Sequence, residues 1–252
     1  MEKTNPLNPD IERPFLFNWI LANIVGLPVL LGPYSVGLFL LMMVAIFSDG
    51  GLAPSRWYAF NFVLQVLSGA VMGAYLGHMQ SFPLKTRIPQ SGKWIAATSL
   101  GVAVGTPLSW LVYQWMFASP LVNGPRGIFF FYLYQYLIFG ILLGLSVGVA
   151  QWFVLKQQVR KAEWWIVALP ILFSGGMAFT KIGFLYLQLM RSVQQWMPTI
   201  TDQSFEIRLP VFVNYLFLVI VPSLIALVMV SLLSGVFLEW LFQFQKKQSE
   251  GQ

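Results

Sequence analysis

The sequence predicts an all-α transmembrane fold, a six-helix bundle assembled from repeated helical hairpins. Composition is the first reason. Apolar residues make up 57% of the chain and charged residues only 10%, where a soluble domain carries about 25% charged residues, so much of the surface is built to face lipid. Continuity is the second. Apolar runs at about residues 16–47, 57–82, 93–117, 128–155, 164–190 and 210–242 each reach the roughly 20 residues that a bilayer demands of a helix. They lack the apolar–polar alternation of barrel strands.

The third reason is internal repetition. Setting Gln80 on Gln151 aligns two stretches without a gap: Gly69 with Gly140, Gly73 with Gly144, Phe82 with Phe153, Leu84 with Leu155, Lys85 with Lys156, Trp94-Ile95 with Trp165-Ile166, and Gly105 with Gly176. Gln, Lys and Trp are scarce in apolar segments, so their agreement at one fixed spacing indicates a duplicated hairpin over about 57–117 and 128–190. Trp19-Ile20-Leu21-Ala22 followed by Gly26 repeats Trp94-Ile95-Ala96-Ala97 followed by Gly101. The first helix of this third copy is sought in the last span, where Gly235 precedes Glu239-Trp240 and Glu239 takes the place of Gln. The order is then half, whole, whole, half, and the terminal halves meet to close a pseudo-threefold ring.

Residues 1–15 form a polar N-terminus, residues 16–245 a single transmembrane domain and residues 246–252 a polar tail. The N-terminus lacks a basic segment followed by a short apolar core and a small-residue cleavage site. No removed signal peptide is expected, and the first span acts as an uncleaved insertion signal.

Span one is overlong: about 32 residues at about 1.5 Å each reach about 48 Å, against a hydrocarbon core of about 30 Å. It carries Gly26, Pro28, Gly32 and Pro33, which favours one tilted, kinked helix over a helix followed by a re-entrant piece. Span two begins at the interfacial anchor Arg56-Trp57-Tyr58. Gly69, Gly73 and Gly77 then share one helical face, a surface that lets another helix approach closely. His78 follows, then a basic turn from Ser81 to Gly92 with Pro83 and Pro89.

Span three opens at Trp94 and carries Gly101, Gly105 and Pro107, and the loop Ala118 to Gly127 is a short connection rich in turn residues. Span four starts in an aromatic cluster around Phe129, Phe130, Phe131 and Tyr132, and carries the second glycine face, Gly140, Gly144 and Gly148. Span five contains Pro170, Ser174, Gly175, Gly176, Thr180 and Lys181, and a polar loop is expected from Arg191 to Arg208. Span six contains Asn214, Pro222, Ser223 and Ser234 and ends at Glu239-Trp240.

The net charge of +6 follows topology. Lys85, Arg87 and Lys93 lie in one turn and Lys156, Arg160 and Lys161 in the other, while Lys3, Arg13, Lys246 and Lys247 flank the spans. The opposite loops offset their arginines with Asp49, Asp202 and Glu206. This positive-inside pattern places both termini in the cytoplasm. Anionic headgroups are the natural partner of the basic turns, and no nucleic-acid partner is expected.

With no cysteine in the chain, thiol catalysis, disulfides, Fe–S clusters and thiolate zinc are excluded. Lys181 is the one basic residue deep in a predicted span, and such a group is a functional candidate by default. Its structural alternative is to snorkel outward or pair with Asp202 or Glu206. A retinal Schiff base is rejected, because the spans number six and no intramembrane acid serves as counter-ion. Glu239 reads as a polar group at the inner interface, with a proton relay as the sharper alternative. His78 is the only candidate cofactor ligand, for haem or chlorophyll, and haem sites in membranes usually pair two histidines. Gln80 and Gln151 read as interhelical hydrogen-bonding residues, or as equivalent polar groups around a substrate. No metal site and no resident cofactor are predicted, although the glycine faces would accept a pigment or a lipid.

The run Gly140-x3-Gly144-x6-Gln151-Trp152-Phe153-Val154-Leu155-Lys156, then Trp164-Trp165-Ile166 after a basic turn, resembles a poorly characterised group of polytopic membrane proteins from cyanobacteria and related bacteria. These repeat Gln-Trp-x-Val-Leu-Arg before a Trp-initiated helix. The upstream copy departs from the pattern, with Ser81 for Trp and Pro83 for Val. The resemblance implies a bacterial inner or plasma membrane, the thylakoid included, and no activity.

The expected function is that of a non-enzymatic accessory, assembly or scaffold subunit of a larger membrane complex, its glycine-lined grooves receiving partner helices, pigments or lipids. The alternative is a transport or solute-binding subunit, with Lys181, Gln80 and Gln151 lining a cavity between repeats. An intramembrane enzyme lacks paired carboxylates, a histidine cluster or a Ser–His or Ser–Lys arrangement.

Overall fold

The computed structural model describes residues 15–26, 54–117, 124–196 and 221–250. All of these segments are helical apart from two short turns, and no strand occurs among the described residues. The helices are α1 (Phe15–Gly26), α2 (Pro54–Leu84), α3 (Ser91–Phe117), α4 (Gly124–Leu155), α5 (Glu163–Trp196) and α6 (Val221–Glu250). Five of them, α2 to α6, are long and apolar enough to cross a membrane. The kink predicted at Gly32-Pro33, Asn214 and the polar N-terminus lie outside the described residues.

Three helix ends differ by several residues from the sequence expectation, and the first is α4, which begins at Gly124, inside the stretch expected as a loop to Gly127. α5 continues through Arg191 to Trp196, into the stretch expected as loop. α6 continues through Lys246 and Lys247 to Glu250, where a polar tail was expected. The extensions of α5 and α6 consist mainly of Gln, Lys, Arg, Ser and Glu with no Gly or Pro, residues that sustain a helix once it leaves the apolar layer.

Each helix turns a stripe of large apolar side chains outward. Phe17, Leu21 and Val25 form it on α1, Val63, Leu67 and Val71 on α2, and Leu100, Val104, Leu108 and Leu111 on α3. Ile141, Leu145, Val149 and Phe153 continue it on α4, Trp164, Val167 and Ile171 on α5, and Ile225, Met229, Leu233 and Val236 on α6. The three- and four-residue spacing places each set on one face. In water such a surface would aggregate, whereas in hydrocarbon it is the correct exterior.

The inward faces carry small residues, and the backbones meet there. A Cβ added at Gly69 would lie 2.8 Å from the Val102 carbonyl oxygen, at Gly73 2.6 Å from that of Thr98, and at Gly77 2.9 Å from Ile95 Cα, all on α3. Gly140 abuts the backbone of Ser174 on α5, and a Cβ at Gly144 would lie 2.7 Å from the Leu169 carbonyl oxygen. Gly148 sits more loosely, 3.4 Å from Ile166 Cα on the same measure. Gly101 and Gly105 of α3 meet Val147 and Leu143 of α4, Gly176 of α5 meets Val230 of α6, Gly235 of α6 meets Trp19 of α1, and Gly26 of α1 meets Leu76 of α2. Every helix therefore touches the next in chain order, and α6 returns to α1.

Gly175 is a control, because a Cβ there meets nothing within 4 Å. Gly175→Ala leaves thermal stability in detergent unchanged or raises it by up to about 1 kcal/mol, the gain expected when alanine replaces glycine inside a helix. A loss above that size would show an unrecognised contact at this position.

The two turns between paired helices have the same construction. In the first, Lys85 N–H donates to the Ser81 carbonyl (3.0 Å), and Arg87 and Ile88 N–H both donate to the Leu84 carbonyl (2.9 and 2.7 Å). In the second, Lys156 N–H donates to Trp152 (2.8 Å), and Gln158 and Val159 N–H both donate to Leu155 (2.8 and 2.8 Å). Ile88 and Val159 are buried and anchor their turns on the apolar core.

Candidate functional site

Most of the buried polar side chains gather in one layer close to the two short turns, with Ser109 and Gln135 lying apart from it on α3 and α4. Trp19, Trp94 and Trp165 lie at its centre, 1%, 0% and 1% exposed. Neighbouring rings touch: Trp19 and Trp94 have centroids 6.3 Å apart, as do Trp94 and Trp165, and Trp165 stacks on Phe237 at 6.1 Å. Phe15 stacks on Trp19 at 5.8 Å and meets Phe242 edge-on. Six aromatic rings from α1, α3, α5 and α6 thus fill the interior at this level.

A buried indole carries an N–H that must find an acceptor, and in this layer each one does. Trp165 Nε1 donates to Gln151 Oε1 of α4 at 2.8 Å. The other end of that amide, Gln151 Nε2, donates to Thr98 Oγ1 of α3 at 2.8 Å, and Thr98 Oγ1 donates to the Trp94 carbonyl at 2.8 Å. One hairpin earlier, Trp94 Nε1 donates to Gln80 Oε1 of α2 at 2.9 Å, Gln80 Nε2 to Asn23 Oδ1 of α1 at 2.9 Å, and Asn23 Nδ2 to the Trp19 carbonyl at 2.8 Å. Trp19 Nε1 donates to Ser234 Oγ of α6 at 3.0 Å, and Ser234 donates to the Ser231 carbonyl at 3.1 Å.

The series runs in one donor-to-acceptor direction and visits all six helices. Such an order satisfies every member with a single partner on each side. In a low-dielectric interior, bonds arranged this way polarise one another. The alternative for an indole N–H or an amide in hydrocarbon is an unpaired group, which costs more than the bond contributes.

Gln80 and Gln151 therefore each spend both amide ends on neighbouring helices. In both cases the tryptophan acceptor bond spans fourteen residues, across a basic turn. On α6 the corresponding acceptor is Ser234, which corrects the sequence expectation that Glu239 stands in for Gln. Glu239 lies five residues further along α6, half-buried. Serine is too short to reach onward to α5, and the residue at the place of Asn23 and Thr98 there is the buried, apolar Leu169. The short acceptor and the apolar neighbour go together.

The glycine faces are covered by the chain's own helices, as their backbone contacts show. This corrects the expectation that these grooves receive partner helices, pigment or lipid: a face filled at van der Waals distance by its own hairpin has no room for another group. His78 projects from the outside of α2, exposed, with its ring edge-on to Phe82 at 5.0 Å. No cluster of His, Cys, Asp or Glu able to hold a metal occurs among the described residues. Lys181 lies on α5, and its side chain falls outside the described residues.

Asn23, Thr98, Ser231 and Ser234 complete the layer, and the sequence reading gave none of them a role. Asn23 and Thr98 each stand four residues after a buried tryptophan, Trp19 and Trp94, a shared spacing that the sequence displays. Ser234 left no such signal.

The indole bonds are testable one at a time. Trp94→Phe keeps the ring and removes the N–H, leaving Gln80 Oε1 buried without its donor. The melting temperature in detergent should fall by an amount equivalent to about 1 kcal/mol, while Trp164→Phe, at an exposed position, leaves it unchanged.

No protein-family model matches the sequence, and neither a curated protein nor a solved structure is similar to it.

Proposed function

We propose that this chain is a non-enzymatic integral membrane protein that serves as an accessory, assembly or scaffold subunit of a larger membrane complex. One observation carries the reading: the buried polar groups of the central layer are used on each other. Gln80 and Gln151 hold tryptophans and neighbouring helices rather than facing a common cavity, and aromatic rings fill the space between them. That is the design of a rigid body. A partner then meets the outward Leu, Ile, Val and Phe stripes, because the glycine faces are already occupied.

The same reading takes the bundle as three related hairpins, the third assembled from α6 and α1. The run Ser231-x2-Ser234-x3-Leu238 takes the register of Gly77-x2-Gln80-x3-Leu84 and Gly148-x2-Gln151-x3-Leu155. Leu84, Leu155 and Leu238 are all fully buried. The membrane is bacterial, the thylakoid among its forms, and both termini lie with the basic turns on the cytoplasmic side.

The test is gentle native purification from the source membrane, followed by mass spectrometry of co-purifying chains and an absorption spectrum. A stoichiometric membrane-protein partner is the expected result. A colourless, solitary protein whose melting temperature rises with a small solute would overturn the reading in favour of a transport or solute-binding subunit.

A further inference from the structure

We propose that the two short turns are equivalent binding sites for an anionic phospholipid, with Lys85 and Lys156 holding the headgroup and Phe82 and Phe153 guiding an acyl chain. In each hairpin an aromatic residue on the last helical turn points outward, about half exposed: Phe82 at 50% and Phe153 at 51%. Three residues later comes a lysine whose ammonium lies over that ring, at 4.8 Å for Lys85 and Phe82 and at 4.4 Å for Lys156 and Phe153. Trp152 also receives Lys156 at 4.4 Å, and Lys161 lies 3.9 Å over the Phe244 ring of α6.

The geometry separates two environments. The ring belongs to the lipid-facing stripe that continues along the helix, and the ammonium sits at the turn, where the chain enters the polar headgroup zone. A lysine over a ring face uses one side of its charge on the quadrupole and keeps N–H donors for anionic oxygens. The cation–π contact therefore orders the lysine without neutralising it. The first turn, from Leu84 to Trp94, contains Lys85, Arg87 and Lys93 and no acid. The second, from Leu155 to Trp165, contains Lys156, Arg160 and Lys161 against Glu163 alone. Basic residues at this depth attract anionic lipid. A free phosphate would use the lysine and leave the adjacent ring idle, so the site as a whole fits a headgroup that brings its own hydrocarbon.

Native mass spectrometry of the delipidated full chain tests this, after re-addition of phosphatidylglycerol or of phosphatidylcholine with the same acyl chains. Two phosphatidylglycerol molecules are expected to be retained in preference to phosphatidylcholine. Lys85→Gln and Lys156→Gln should each weaken one site about five-fold, with retention restored by Lys85→Arg and Lys156→Arg, and Phe82→Ala should weaken the first site only. Both lysines are exposed, so unchanged melting temperatures should accompany these losses. Equal retention of the two lipids, retention indifferent to the glutamine variants, or full competition by inorganic phosphate would each overturn the proposal. The measurement needs no partner protein, so its outcome stands apart from the accessory-subunit reading.

Discussion

Gly73→Leu prevents the chain from accumulating as a single folded species. An added Cβ would lie 2.6 Å from the Thr98 carbonyl oxygen and 2.7 Å from Ser99 Cα. Both are helix backbone atoms, which cannot rotate out of the way as a side chain can. Relief requires α2 and α3 to separate along their length. That separation also stretches the bond from Trp94 to Gln80 and the bond from Ser99 Oγ to the Ala70 carbonyl, now 2.7 Å. Overpacking of a close-packed core costs about 1–3 kcal/mol, and more where backbone must move. The expected loss is therefore at the top of that range or above it. Gly144→Leu, facing the backbone of Leu169 and Pro170, behaves alike. Fluorescence-detected size-exclusion chromatography reads the monodisperse fraction directly. Gly92→Ala, at an exposed site with nothing within 4 Å, serves as the unaffected control.

The double variant Gln80→Leu/Gln151→Leu destabilises the bundle by about 2–4 kcal/mol, given interhelical bonds in a membrane of about 0.6 kcal/mol on average and up to about 1.7 kcal/mol. Leucine approximates the volume but removes four bonds at once. The indole N–H groups of Trp94 and Trp165 then remain buried without acceptors, and Asn23 and Thr98 lose their donors. The penalty is larger than for a polar pair deleted from both sides, because the surviving partners have no water to turn to. A variant that folds and melts like the native chain but loses partner or ligand binding would show that the glutamines act as binding residues and not as structural ties.

Much of the fold was legible because membrane helices are written in run length. An apolar stretch long enough to cross hydrocarbon has few other options, and the basic turns with their prolines punctuate those stretches. The glycine faces were equally plain as surfaces of close approach. Their occupant was not, since Gly73 reads the same whether the backbone against it belongs to α3 or to a different protein. The helix ends at Trp196 and Glu250 were missed because polar, helix-forming residues look like loop when apolar content is the guide.

The central layer was half legible. Gln80 with Trp94 and Gln151 with Trp165 stood out as repeated pairs, and the equal spacing across each turn was the available signal for a bond between them. Sequence reading instead gave the glutamines an interhelical role and took the tryptophans only as marks of the repeat and of a helix start. Ser234 was invisible because a serine substituting for a glutamine shares only its capacity to accept a hydrogen bond. Glu239 was the candidate that the sequence offered on α6, whereas the Trp19 indole donates to Ser234. Thr98 and Leu169 show the same limit: equivalent places that are polar in one hairpin and apolar in the next differ in letter while sharing a position against the neighbouring helix.

The claim that binds these observations is that tryptophan and glutamine hold the helices together as a hydrogen-bonded unit. A double-mutant cycle on Gln151 and Trp165 tests it most directly, with melting curves in one detergent for the native chain, Gln151→Leu, Trp165→Phe and the pair. The bond at 2.8 Å predicts that each single variant is destabilised and that the pair costs less than the sum by about 1 kcal/mol. Strict additivity, or a Gln151→Leu protein as stable as the native one, would contradict the account.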